Sequence, residues 1–165
     1  MRTIVGVMGS GSDRDAAVLR TAHELGAAIA AAGWVLLNGG RSTGVMDASA
    51  RGASEAGGLV IGVLPDGDLR AASLHLDVAI RTGMGDARNV VNVLSSDVVI
   101  ALPGGAGTIS EVALALNAGR TVIALGFDAG STFRPWRESG RLRAVASVQD
   151  AIAAAREVLD KESRP

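Results

Sequence analysis

No cysteine occurs among the 165 residues, which removes disulfides, thiolate zinc sites and thiol nucleophiles together. A reducing cytoplasm suits such a chain. Lysine is almost missing as well: Lys161, near the C-terminus, is the only one, so no lysine follows a glycine-rich loop as a P-loop requires. The same scarcity argues against a pyridoxal-phosphate Schiff base. Histidine is limited to His23 and His75, far apart in sequence and better read as packing or surface residues than as metal ligands. No Ser-His-Asp triad has a supporting motif. Tyrosine is absent and aromatics make up 2% of the chain, leaving a bound ring few stacking partners. An excess of one charge is lacking too: 16 basic against 17 acidic residues give a net charge of −1, without blocks of like charge. A disordered tail or nucleic-acid arm therefore has no support. The longest apolar stretch, from Leu25 to Leu37, contains Gly33 and falls short of the roughly 20 residues of a membrane span. Thr3 to Val7, behind Met1-Arg2, is too short for a signal-peptide core. These absences predict a cytoplasmic protein with a small ligand and no metal site, in one domain over residues 1–165.

What is present is alternation. Short β-branched runs, Thr3 to Met8, Trp34 to Asn38, Leu59 to Leu64, Asp97 to Leu102 and Thr121 to Gly126, are continuous apolar strands suited to a parallel sheet covered on both faces. Leu76 to Thr82 and Ala144 to Val148 read as weaker strands. Helical periods fill the intervals at about Asp13 to Ala32, Gly44 to Ala56, Asp86 to Ser95, Thr108 to Ala118 and Val148 to Leu159. Asp128 to Arg143 reads as a polar surface loop. The order predicts an α/β, Rossmann-like doubly wound, mainly parallel sheet with helices on both faces.

Glycines gather where a strand hands over to a helix: Gly9-Ser10-Gly11-Ser12, Gly39-Gly40-Arg41-Ser42-Thr43-Gly44 and Gly104-Gly105-Ala106-Gly107-Thr108. In a parallel sheet these turns share the carboxyl edge, where such folds bind ligands. Backbone N–H groups of glycine can approach an anion closely, and a helix start adds unpaired donors. The expected guest is a phosphate. NAD is disfavoured, because Arg14 occupies the place of the third glycine of the dinucleotide fingerprint and no clear acidic residue ends the second strand. Arg41 and Arg88 can supply bidentate charge, with Asp86 as a cap for the helix that follows, whereas Arg14 reads as a surface or capping residue. Thr108 and Glu111 have the spacing of a capping box, the ordinary explanation when the pair is taken alone. Capping does not call for the preceding Pro103-Gly104-Gly105-Ala106-Gly107, whereas backbone approach to a ligand does. Glu111, being an anion, suits a sugar hydroxyl or a developing positive charge rather than the phosphate itself. A valine at Gly105 is expected to block the phosphate and strain the turn.

Gly9-Ser10, Asn38-Gly39-Gly40 with Gly44-Val45-Met46, Gly62-Val63-Leu64-Pro65 and above all Pro103 to Glu111, in the pattern PGGxGTxxE, resemble the Rossmann-like superfamily typified by the LOG cytokinin-activating phosphoribohydrolases. The resemblance covers about the first 126 residues. Within that superfamily, Thr82-Gly83-Met84-Gly85-Asp86-Ala87-Arg88-Asn89 and the short chain are more similar to molybdenum cofactor carrier proteins. The resemblance implies a ligand- or phosphate-binding set of Gly9, Ser10, Gly39, Gly40, Arg41, Met84, Arg88, Pro103, Gly104, Gly105, Ala106, Gly107, Thr108 and Glu111. In a carrier these would hold molybdenum cofactor as cargo, with no cofactor required by the protein. In an N-glycosidic hydrolase of nucleoside 5′-monophosphates, Arg88 and Glu111 would be catalytic. Asn89 departs from the Arg-Lys pair usual in the phosphoribohydrolases, and so removes a cation beside the phosphate or ribose. Met8, Met46 and Met84 can offer soft contacts to a ring, though filling core gaps is their ordinary use. Few polar positions interrupt Thr108 to Ala118, so both sides of that helix are expected to be buried, one of them in a homodimer or homotetramer.

Overall fold

The apolar runs form seven strands in a computed structural model, which describes residues 1–13 and 15–162. The strands are β1 (Ile4–Met8), β2 (Val35–Asn38), β3 (Val60–Leu64), β4 (Val78–Arg81), β5 (Val98–Ala101), β6 (Val122–Leu125) and β7 (Leu142–Val145). They lie in one sheet in the order β4-β3-β2-β1-β5-β6-β7, and each pairing is parallel. The helices are α1 (Ala16–Ala31), α2 (Gly44–Glu55), α3 (Asn89–Leu94), α4 (Ala106–Asn117), α5 (Arg134–Glu138) and α6 (Val148–Glu162). This is the doubly wound Rossmann-like α/β architecture that the alternation predicts.

Alternation along the central strands sends side chains to two cores. From β5, Val98 and Ile100 join Val5 and Val7 of β1 beneath α1, α2 and α6. Val99 and Ala101 face the other way, with Met8, Leu37, Val112, Ala115 and Leu116. Burial of strands on both faces is why they read as continuous apolar runs. Helices α1 and α2 meet backbone to backbone at Gly26, where an added Cβ would lie 2.9 Å from the Ala53 nitrogen. This approach seats α2 close over β1 and β2. Among the described residues, no helix is long and apolar enough to cross a membrane.

Several element boundaries differ from expectation for identifiable reasons. Helix α1 begins at Ala16 rather than Asp13, because the Asp15 carboxylate accepts the Ala17 N–H at 2.8 Å and fixes the cap there. Strand β7 lies two residues earlier than expected: Leu142 is buried, while the Ser147 hydroxyl accepts the Asp150 N–H and starts α6. The expected loop 128–143 contains a 3₁₀ turn (Ser131–Phe133), α5 and the beginning of β7. Phe133 anchors it in the core, tilted against Trp136 with ring centroids 5.9 Å apart, so these aromatics pack locally. Arg14 lies outside the described residues.

Candidate functional site

Strand order reverses direction at β1, with β2 on one side and β5 on the other, so the loops after β1, β2 and β5 converge at the carboxyl edge. They are tied together by backbone bonds: Ser10 donates to the Pro103 carbonyl at 3.3 Å, and Val45 donates to the Ser10 carbonyl at 2.9 Å. The β2 loop is held from below by Asn38, whose Oδ1 accepts the Gly40 N–H at 2.8 Å while its Nδ2 donates to the Met46 carbonyl. Together with the segment 86–89, these loops enclose a cleft of about 250 Å³.

The glycine loop after β5 leads straight into α4. Its cap is Gly105 and carries no side-chain hydrogen bond, so the N–H groups of Ala106, Gly107 and Thr108 begin the helix without a side-chain partner. Gly107 and Thr108 line the cleft. The capping-box explanation is thereby excluded. Thr108 is the third residue of the helix rather than its cap, and the Glu111 carboxylate does not turn back to the helix start. Gly105 has φ −89°, so the expected strain on substituting it is absent, and its missing side chain faces open space.

Glu111 points instead toward α3. Its Oε1 accepts the Asn92 Nδ2 hydrogen at 3.0 Å and lies 3.6 Å from a terminal nitrogen of Arg88. Both members of this ion pair are buried, Glu111 at 6% and Arg88 at 9% exposure. Burial pushes the Glu111 carboxyl up to about 7, against the opposing pull of the Asn92 hydrogen bond and the Arg88 charge. Burial likewise lowers Arg88, with Glu111 acting against it. The Arg88 guanidinium rests on Gly39, where a Cβ would stand 2.7 Å from each terminal nitrogen. Its Nε has no hydrogen-bond partner. Asp86 lies in a 3₁₀ turn (Gly85–Arg88) preceding α3 and lines the cleft without capping α3.

Of the expected residues, Gly9, Ser10, Gly39, Arg88, Gly105, Gly107, Thr108 and Glu111 converge on the cleft. Others do not line it. Gly40 lies beneath the β2 loop with φ +73°, its Cα side close to Gly62. Arg41 forms an ion pair with Asp66 at 3.0 Å. Met84 is 50% exposed outside the cleft. Pro103 and Gly104 shape the turn from behind, and Ala106 is exposed on the first turn of α4. Met8 and Met46 do reach the cleft wall. Gly11, Ser12 and Asn89 line it as well, and Asn92 stands behind it. The sequence signal for Asn92 is its place four residues after Arg88, between Val91 and Val93 in a helix whose only other polar residue is Asn89. Among the described residues, no group of three or more His, Cys, Asp or Glu side chains is arranged to hold a metal ion.

The SLOG cluster4 family profile matches residues 2–155. A molybdenum cofactor binding protein from the phototrophic bacterium Rippkaea orientalis superposes with a TM-score of 0.90 at 44% identity, over 96% of this chain and 98% of that one. The Moco carrier protein of Chlamydomonas reinhardtii gives a TM-score of 0.90 at 46% identity, over 98% and 99% of the two chains. A cytokinin riboside 5′-monophosphate phosphoribohydrolase from Mycobacterium tuberculosis is 37% identical over 110 residues, 66% of this chain and 59% of that relative.

Proposed function

We propose, from the premise that the chain belongs to the SLOG cluster4 family, that it binds and carries a phosphorylated heterocycle of the molybdenum cofactor type. The observation that carries this reading is the uncapped start of α4 lying across the cleft from buried Arg88. Backbone donors and the positive helix end take the phosphate, and the guanidinium adds charge-assisted bonds. Gly9 and Ser10 line the cleft beside them, Gly39 seats the Arg88 guanidinium, and Glu111 meets what the phosphate carries. Identity of 44% and 46% to two proteins named for this cargo, over nearly their whole length, supports the choice. The cleft, about 250 Å³, lies below the roughly 300–1,000 Å³ of ordinary ligand pockets, so a nucleotide-sized ligand extends beyond its mouth. Such partial enclosure suits a carrier that must hand its cargo on.

A second reading is favoured by one feature. A carboxyl poised at about 7 has the acidity of a general acid or base, as hydrolysis of a nucleoside monophosphate to free base and ribose 5-phosphate would use. Incubation with AMP, following adenine by chromatography with Glu111→Gln alongside, separates the two. The carrier reading expects binding without adenine release. Release by the wild type, lost in the variant, replaces it with the hydrolase.

The same reading makes the protein a cytoplasmic one-domain homodimer or homotetramer. Val112, Ala115 and Leu116 of α4 are buried against the sheet, whereas Ala113 and Asn117 are exposed and Ile109 and Leu114 half-buried. The expectation that both sides of this helix are covered is therefore met on one side by the chain itself. A second copy is the proposed cover for the other side, and exposed Val90 and Leu94 on the packed helix α3 support an apolar contact.

A further inference from the structure

We propose that Asn92 is a positioning residue for Glu111, holding carboxylate oxygen Oε1 away from the ligand so that Oε2 alone meets it, as an acceptor for a ligand N–H or hydroxyl. The inference rests on the cleft being a ligand site and deepens that reading, since it specifies what lies beyond the phosphate. Asn92 is fully buried, between Val91 and Val93 on a helix otherwise made of apolar side chains and one further asparagine. An amide there loses its hydration and is costly unless bonded. Yet only one end is used: Nδ2 donates to Glu111 Oε1 at 3.0 Å, and Oδ1 has no partner. The amide is thus not explained by its own satisfaction.

Geometry at the carboxylate completes the argument. Asn92 and Arg88 lie four residues, about one helical turn, apart on the continuous 3₁₀–α3 segment, and both face Oε1, at 3.0 and 3.6 Å. Among the described residues, Oε2 receives no protein hydrogen bond, although Glu111 lines the cleft. Reversing the amide would set Oδ1 against the carboxylate, acceptor against acceptor, so the charged form of Glu111 fixes its orientation. The charged group facing Glu111 is Arg88, with Arg41, Asp66 and Asp86 acting in turn on Arg88. Because the Asn92 bond favours the anion while burial opposes it, losing the bond must move the Glu111 midpoint upward.

The test titrates the Glu111 carboxyl by carbon-13 NMR in the full chain, assigned with Glu111→Gln, for wild type, Asn92→Leu and Asn92→Ala. The expected result is an upward midpoint displacement of at least about half a pH unit in both variants, roughly threefold in proton affinity. In parallel, AMP and inorganic phosphate binding are compared by calorimetry. Asn92→Leu is expected to weaken AMP several-fold while phosphate affinity changes less than about twofold. Unchanged midpoints in both variants overturn the proposal, as does equal loss of AMP and phosphate, which would mark a merely structural amide. If Leu prevents folding, the smaller, equally uncharged Ala variant supplies the titration. Failure of the wild type to bind either probe overturns the cleft reading instead, while the NMR midpoints still decide whether Asn92 governs Glu111.

Discussion

Gly39 shows how a residue without a side chain sets the position of one with a long side chain. Its α-hydrogen face is where the Arg88 guanidinium rests, and a methyl group there would lie 2.7 Å from both terminal nitrogens and 2.6 Å from the Met46 sulfur. Those neighbours are ends of flexible side chains, so Gly39→Ala should leave the fold standing while moving Arg88 off its seat. A charge-assisted bond is worth about 1.5–3 kcal/mol, and AMP or phosphate affinity should accordingly drop on the order of tenfold or more. Calorimetric titration against wild type checks this; unchanged affinity would show that Arg88 does not grip the anion. Individual residues were unevenly legible. Arg88 and Glu111 could be read as partners of a ligand, but the sequence did not reveal that each is the other's partner. That pairing spans the seam between α3 and α4, and no local spacing encodes it.

Among the elements, the start of α4 is where sequence and structure part. A Thr-x-x-Glu spacing suggests a cap at Thr108, but the helix runs on to Ala106 because the flexible Gly105 can cap with its backbone alone. Gly107 then sits in the first turn, with no positive φ and open space where a Cβ would stand. A helix prefers alanine there. Gly107→Ala should raise stability by about 0.5 kcal/mol and simultaneously weaken phosphate binding, because the added methyl lies at the cleft wall. Chemical denaturation and phosphate titration on the same preparation measure the opposed effects. Gain in stability with full binding would mean that the glycine serves something other than ligand access. The segment 128–143 departs from the loop its composition predicts for the converse reason: its polar residues mask Phe133, which pins a helical turn to the core.

At the scale of the whole molecule, apolar surface remains uncovered on one side. Val90 and Leu94 are 41% and 56% exposed on α3, a helix that packs against α4. Edge strand β4 adds Val78 and Ile80 at 45% and 42%. Scattered exposed apolar residues are ordinary, but exposed apolar side chains on one of two packed helices suit a self-association surface. Sedimentation at micromolar concentration should find a dimer or larger, and Val90→Lys combined with Leu94→Lys should reduce it to monomers without unfolding it. A monomeric wild type would overturn the assembly.

The sequence by itself determined the α/β class, the parallel sheet and the three glycine turns, because strands buried on both faces and loops needing close backbone approach leave compositional marks that survive without coordinates. The PGGxGTxxE stretch likewise placed the chain in its superfamily, since its flexible turn and helix start are contiguous residues. Tertiary structure alone decided that Arg41 turns to Asp66, that Met84 stays outside the cleft, and that Glu111 is held by Asn92 and Arg88. These outcomes depend on which side chains meet across elements far apart in the chain. Such contacts, and the desolvation that moves Glu111 to about 7, exist only after the sheet has brought its loops together.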